Sequence, residues 1–176
     1  MNDINIDMDE QYCFDITSTD KNYQKCKLIL EWLKSNMEGI TDNNDNKLFN
    51  KVNYGYNENT LKGFGNKPVC DVYLTKTNYS YDINNDYPSS VTSNIIVYLK
   101  GNMNNAYIKA AEINDYLIEQ FTTNNKFRLL NLYDEHEEFI EAVVNETKII
   151  RSELRIIPSG KTYGVLVALE LDHIMI

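Results

Sequence analysis

Two histidines, one tryptophan and three cysteines in 176 residues leave little of the usual material for catalysis. No Ser or Cys stands in a recognisable nucleophile motif, so hydrolysis by a His-assisted nucleophile has nothing specific behind it. Chemistry by carboxylates alone stays open, because acidic residues run through the whole chain. Cys13, Cys26 and Cys70 are odd in number, and their spacings fit no zinc or redox motif. They read as small buried hydrophobes in a reducing compartment. Cations are also short, with 17 Lys and Arg against 26 Asp and Glu and a net charge of −9. No basic run exists to form the cationic face that phosphate binding needs, so specific nucleic-acid binding is not expected. No apolar run reaches the length of a membrane span. The opening MNDINIDMDEQ is acidic and lacks the apolar core of a signal peptide, so the sequons at Asn78 and Asn145 carry no weight.

What is present is enough apolar sequence, 43% of the chain, for a single domain with a sizeable core. Residues 1–18 are polar and acidic with scattered apolar positions, and read as an arm or short strand. Asp20 is a suitable N-cap for an amphipathic helix over Lys21–Glu38, in which Cys26, Leu30, Leu33 and Met37 recur with Ile29 beside them, and Gly39 ends it. Residues 40–68 form a long polar insertion. Loops of that length are uncommon unless functional or disordered, and Leu48, Val52, Tyr54, Tyr56 and Phe64 suit a hairpin or a docked loop.

A strand over Val69–Thr75 follows, with Tyr79–Ile83 continuing it or pairing with it. Asn94–Lys100, rich in β-branched residues and apolar on both faces, reads as a central strand. Gly101-Asn102 then turns into a second helix from Met103 to about Thr122, with Met103, Ala106, Ala110, Ile113, Leu117 and Phe121 on one face. KFRLLNLY (126–133) suggests a strand. Asp134–Val144 suggests a short helix whose acidic start suits the helix dipole. Lys148–Ile157 alternates, with Ile150, Leu154 and Ile156 on one face and Arg151, Glu153 and Arg155 on the other. Pro158–Lys161 is a turn, and Tyr163–Leu171 closes a long hairpin. The fold class is therefore α+β: an antiparallel or mixed sheet against two main helices, with a terminal hairpin and a long inserted loop.

Candidate motifs mostly fail on mechanism. Gly160-Lys161-Thr162 looks like the end of a phosphate-binding loop, but the required first Gly falls at Arg155 and a strand follows where a helix is needed. Asp134, Glu135, His136, Glu137 and Glu138 are metal-ligand types, yet neighbours in a helix do not face one another. Glu137 with Glu141, or Glu135 with Glu138, would give only two carboxylates and no second His. A solvated acidic helix end accounts for them better. Asp172 and His173 point to opposite faces of a strand and make no pair. Tyr54, Tyr56 and Phe64 are either interface anchors or cover for a sheet edge. With Asp134, Glu135, Glu137 and Glu138, they are the candidate subunit or partner interface.

The element order resembles the tail-terminator (tail-completion) proteins of long-tailed bacteriophages and phage-tail-like bacteriocins. The resemblance is carried by KNYQKCKLILEWLKSN, by NIIVYLKGN leading into NNAYIKAAEINDYLIEQF, and by YGVLVALELDHIMI. It spans most of residues 20–176 through element order, without a signature motif, and the segments 40–68 and 134–141 are longer than a minimal member needs. It implies a structural protein and no enzyme. Such a protein forms a ring, a hexamer, that caps the tail tube, ends its polymerisation and joins it to the neck or collar. It has no cofactor, and its partners are further copies, the tail-tube protein, and sheath and neck proteins. It would reside in the host cytoplasm during assembly and then in the virion or tail-like particle. Two alternatives remain: another head–tail connector or tail-tube subunit, and a small α+β enzyme or ligand-binding regulator.

Overall fold

The strands with apolar residues in both phases of the β period, β3 (Pro88–Gly101) and β6 (Thr162–Met175), form the middle of the sheet, where both faces are shielded. The structure, a computed structural model, describes residues 21–42, 44–55, 67–79, 88–133, 136–159 and 162–175. Their other strands are β1 (Lys51–Tyr54), β2 (Val69–Tyr79), β4 (Leu130–Tyr133) and β5 (Phe139–Ser159). Three helices accompany them: α1 (Lys21–Glu38), α2 (Met103–Thr123) and α3 (Asn125–Arg128). The six strands make one mixed sheet in the order β1-β2-β3-β6-β5-β4, in which only the β1–β2 pairing is parallel. The fold is α+β.

Register fixes which residues share a face. The opposed pairs Val91–His173, Ser93–Leu171, Ile95–Leu169, Val97–Val167 and Leu99–Val165 all lie in the phase that faces the helices. Against them α1 lays Ile29, Leu33 and Met37, and α2 lays Ala106, Ala110, Ile113, Leu117 and Phe121. Each large apolar side chain buried this way contributes roughly 1.5–3 kcal/mol. The small alanines at the start of α2 let the helix approach the strands closely. Asn102 caps α2, its side chain accepting from the Asn105 N–H at 3.0 Å. At the far end, Phe127 of α3 meets Phe121 edge-on at 5.4 Å. The indole of Trp32 and the side-chain amide of Asn36 both donate to the Lys126 carbonyl, at 3.0 and 3.1 Å, and tie α1 to α3.

Several boundaries differ from the sequence reading. Residues 139–144 are strand, not helix: Phe139, Ile140, Val143 and Val144 suit an extended backbone, and Glu137 at φ 63° turns the chain back after β4. KFRLLNLY is divided, with Asn125–Arg128 helical and Leu130–Tyr133 extended. Within the insertion, Lys51–Tyr54 pairs in parallel with β2, so it is not one arm of a hairpin with that strand. Gly55, at φ +78°, leaves β1 in the left-handed region. A bulge between Ile149 and Arg151 changes the phase of β5. Ile149 takes the position against the core, and Ile150, expected on one face with Leu154, falls at the bulge and is 55% exposed. β5 runs to Ser159 and β6 begins at Thr162. Asp20, the arm at 1–18, the Tyr79–Ile83 pairing beyond Tyr79 and the tip of the last hairpin lie outside the described residues.

Candidate functional site

The described residues of the sequence-selected surface lie apart from one another. Tyr54 ends β1 at one edge of the sheet, half exposed, with the Lys34 ammonium 4.4 Å from its ring centroid, a cation–π contact. Glu137 and Glu138 are exposed in the turn before β5, which pairs with β4 at the opposite edge. Six strands separate the two edges by on the order of 24 Å. Tyr56, Phe64, Asp134 and Glu135 lie outside the described residues. Among the described residues no group of His, Cys, Asp or Glu is arranged to hold a metal ion.

A cluster that the sequence reading did not select sits in the core. His173 is fully buried, with Nε2 2.7 Å from Ser93 Oγ and Nδ1 3.0 Å from Thr147 Oγ1. Thr147 Oγ1 also donates to the Arg128 carbonyl at 3.0 Å. That bond uses the only Thr147 hydroxyl proton, so Thr147 must accept from His173 Nδ1–H. Nε2 is then unprotonated and accepts from the Ser93 hydroxyl. Trp32 closes the cluster edge-on, 5.7 Å from the imidazole. Burial pushes the His173 pKa down to about 3, because the imidazolium would lose its hydration and the ring nitrogens face only the Ser93 and Thr147 hydroxyls among the described residues.

A serine donating to Nε2 of a histidine held at Nδ1 is the geometry of an activated nucleophile. Here Ser93 has no exposed surface, so no substrate reaches its oxygen in this conformation. What the cluster does is join β3, β5, β6, α1 and the end of α3 through satisfied polar groups. Its signal in the sequence was phase: His173 continues the inward series Val165, Val167, Leu169, Leu171. A polar residue at such a position must find partners within the core. Asp172, one residue earlier, lies on the other face, as the alternation requires. Cys70 is likewise buried in the helix-side core, where desolvation foremost and Asp71 next push its thiol pKa well up. Cys26 is half-buried against that core, and Cys13 lies outside the described residues.

The opposite face of the sheet carries a smaller apolar group, Ile96, Tyr98 and Leu166, with Tyr73, Ile157 and Ala168 against it and no described helix packed on it. A depression of about 280 Å³ lies there, floored by Ile96, Leu166 and Ala168 and rimmed by Arg151, Glu153 and Arg155. Both arginines bond to Glu153, Arg151 at 2.7 Å. The hydrogen bond from Arg155 is the main reason that the Glu153 carboxyl titrates below its ordinary range.

Large apolar side chains also stand in solvent. Tyr133 stacks edge-on with Phe139 at 6.2 Å, and Phe139 is 61% exposed with Ile140 beside it. Tyr107, Ile108 and Tyr116 are exposed on α2, as are Ile150 and Ile156 on β5. No described helix is long and apolar enough to cross a membrane. No protein-family model matches the chain, and no curated protein matches it.

Proposed function

We propose that this chain is a structural subunit of a phage tail or tail-like particle. In this reading it assembles into a ring that caps the tail tube, ends its polymerisation and joins it to the neck or collar. The observation that carries the reading is the set of large apolar side chains left in water at the β4–β5 corner, on α2 and along β5. Scattered single apolar residues are ordinary on a surface, but groups of them mark contact sites. Their placement on a sheet edge and a helix back suits protein partners, because edges and helix faces are what neighbouring chains engage. The reading also rests on the resemblance in element order, helix, strands, strand-turn-helix, hairpin, to tail-completion proteins. The partners are further copies of the chain, the tail-tube protein, and sheath and neck proteins. The function requires no cofactor and no catalysis. The protein would work in the host cytoplasm and then within the particle.

The test is negative-stain electron microscopy of the concentrated protein with its solution mass. Closed six-fold rings without filaments are the expected result. Long tubes would instead identify a tube subunit. A monomer or dimer that stays single on its tail tube, and binds a small molecule in the depression beside Arg151 and Arg155, would replace the structural reading with the ligand-binding one.

A further inference from the structure

We propose that residues 56–66, which join β1 to β2, cross the sheet on the face opposite the helices and cover it over β2 and β3. The inference stands apart from the ring reading. It starts from the parallel pairing of β1 with β2. Parallel neighbours cannot be joined by a tight turn, so the chain must cross one face of the sheet to return, which takes about a dozen residues or more. Both ends of this connection are fixed. Gly55 N–H donates to the Val72 carbonyl at 2.9 Å, and Asn50 N–H donates to the Pro68 carbonyl at 2.7 Å. Handedness decides which face is crossed. Val72 turns its side chain to the helix side and its carbonyl toward β1. For an L-residue that combination places β1 to the right of an upward-running β2, seen from the helix side. A connection on that side would be left-handed, and one on the opposite side is right-handed. About 98% of such crossovers are right-handed. The helix side is also occupied by α1, which packs on β1 and β2.

Burial on the opposite face agrees. Val69 and Asp71 of β2 lie there beside Tyr98 and Ile96 of β3. All four are buried, Tyr98 at 1% exposure and Asp71 with none. Yet every described apolar side chain packed against Ile96 and Tyr98 belongs to the sheet itself. The Asp71 carboxylate accepts from the Asn53 side-chain amide at 2.8 Å, and on a bare sheet face it would be hydrated, not buried. Farther across the same face, Arg151 and Arg155 of β5 are exposed. The cover therefore lies at the β2–β3 end, beside Gly55 and Lys67, where the segment leaves and rejoins the sheet. Residues 56–66 bring Tyr56, Leu61 and Phe64 as apolar side chains, and burying Leu61 and Phe64 against Ile96 and Tyr98 would stabilise both sides. In this arrangement Phe64 belongs to the molecule's own packing and is not an anchor for a partner. What that face leaves to an outside molecule is the depression beside Arg151 and Arg155.

Two experiments on the full chain test this. Solution NMR with labelled Phe, Leu and Ile side chains reads the contacts directly. Cross-relaxation from the Phe64 ring and the Leu61 methyls to Ile96, Tyr98 or Leu166 is expected. Contacts to Leu33 or Met37 instead, or none to the sheet, would overturn the proposal. Nitration by tetranitromethane, mapped by mass spectrometry, then reads the cover over Tyr98. In wild type the exposed Tyr54, Tyr107, Tyr116 and Tyr133 should react while Tyr98 stays protected. A wild-type Tyr98 that reacts as fast as Tyr107 would overturn the cover. Leu61→Asp with Phe64→Asp places charge in the contact and should bring Tyr98 to a rate near that of Tyr107, with the far-UV circular dichroism unchanged. Leu61→Ala with Phe64→Ala is the milder pair to use if the charged one unfolds the chain. A folded variant whose Tyr98 stays as protected as in wild type would also overturn it. None of these outcomes bears on assembly, so failure here leaves the ring reading where it stands.

Discussion

Acidification should destabilise this protein through a single buried imidazole. His173 titrates near 6.5 in an unfolded chain and at about 3 in the fold. Between those values the unfolded state binds a proton that the native state refuses, so stability rises with pH across that window. The contribution is whole above pH 6.5 and is lost as pH falls toward 3. The slope is about 1.4 kcal/mol per pH unit, so the drop from pH 7.5 to 4.5 costs about 3 kcal/mol, a large share of a typical 5–15 kcal/mol stability. Protonation would also place hydrogen on Nε2 against the Ser93 hydroxyl, which is 2.7 Å away and has been donating to that atom. The control is His173→Gln, whose amide can donate to Thr147 and accept from Ser93 without titrating. Urea unfolding of both proteins at the two pH values gives the result by difference, since the carboxylates common to both cancel. Wild type should lose about 3 kcal/mol more than the variant over this interval. Equal losses within about 0.5 kcal/mol would refute a buried neutral imidazole.

Four further outcomes follow from the packing. Ser93→Ala leaves His173 Nε2 buried without a donor and should cost about 1–3 kcal/mol, measured as a shift of the urea midpoint at neutral pH. Asn102→Ala removes the side-chain oxygen that accepts from Asn105 N–H; chemical denaturation should show a loss of about 1 kcal/mol, recovered by Asn102→Asp. Phe121→Ala empties a site that is 1% exposed and edge-on to Phe127, at about 3–5 kcal/mol, whereas Tyr54→Ala at the exposed end of β1 should shift thermal stability by no more than about 1 kcal/mol.

The two long helices were legible because their signal is local. The spacing of Leu33 and Met37 in α1, and of Ala106 through Phe121 in α2, records which side of each helix meets the core. β3 and β6 were equally plain, since apolar residues in both phases require shielding on both faces. Residues 134–144 misled because acids at a segment start suit a helix dipole, while Phe139, Ile140, Val143 and Val144 suit a strand. Partnership with β4 settled the matter. Ile150 misled because a bulge adds a residue that simple alternation does not contain. The candidate surface fared less well. Tyr54 and Glu137 are both exposed, but exposure is a local property, and their placement at opposite edges follows only from strand order.

The sequence by itself determined the periodicities, the α+β class, the scarcity of catalytic groups and the acidic balance, all of which depend on residue identity and near neighbours. The tertiary structure alone decided the order β1-β2-β3-β6-β5-β4 and the parallel pairing of β1. It also decided the meeting of Ser93, Thr147 and His173, which lie 80 and 26 residues apart from the histidine in the chain. Those outcomes rest on which strands pair across long loops. Pairing is chosen by the burial of whole faces, a collective quantity that no local window of sequence contains.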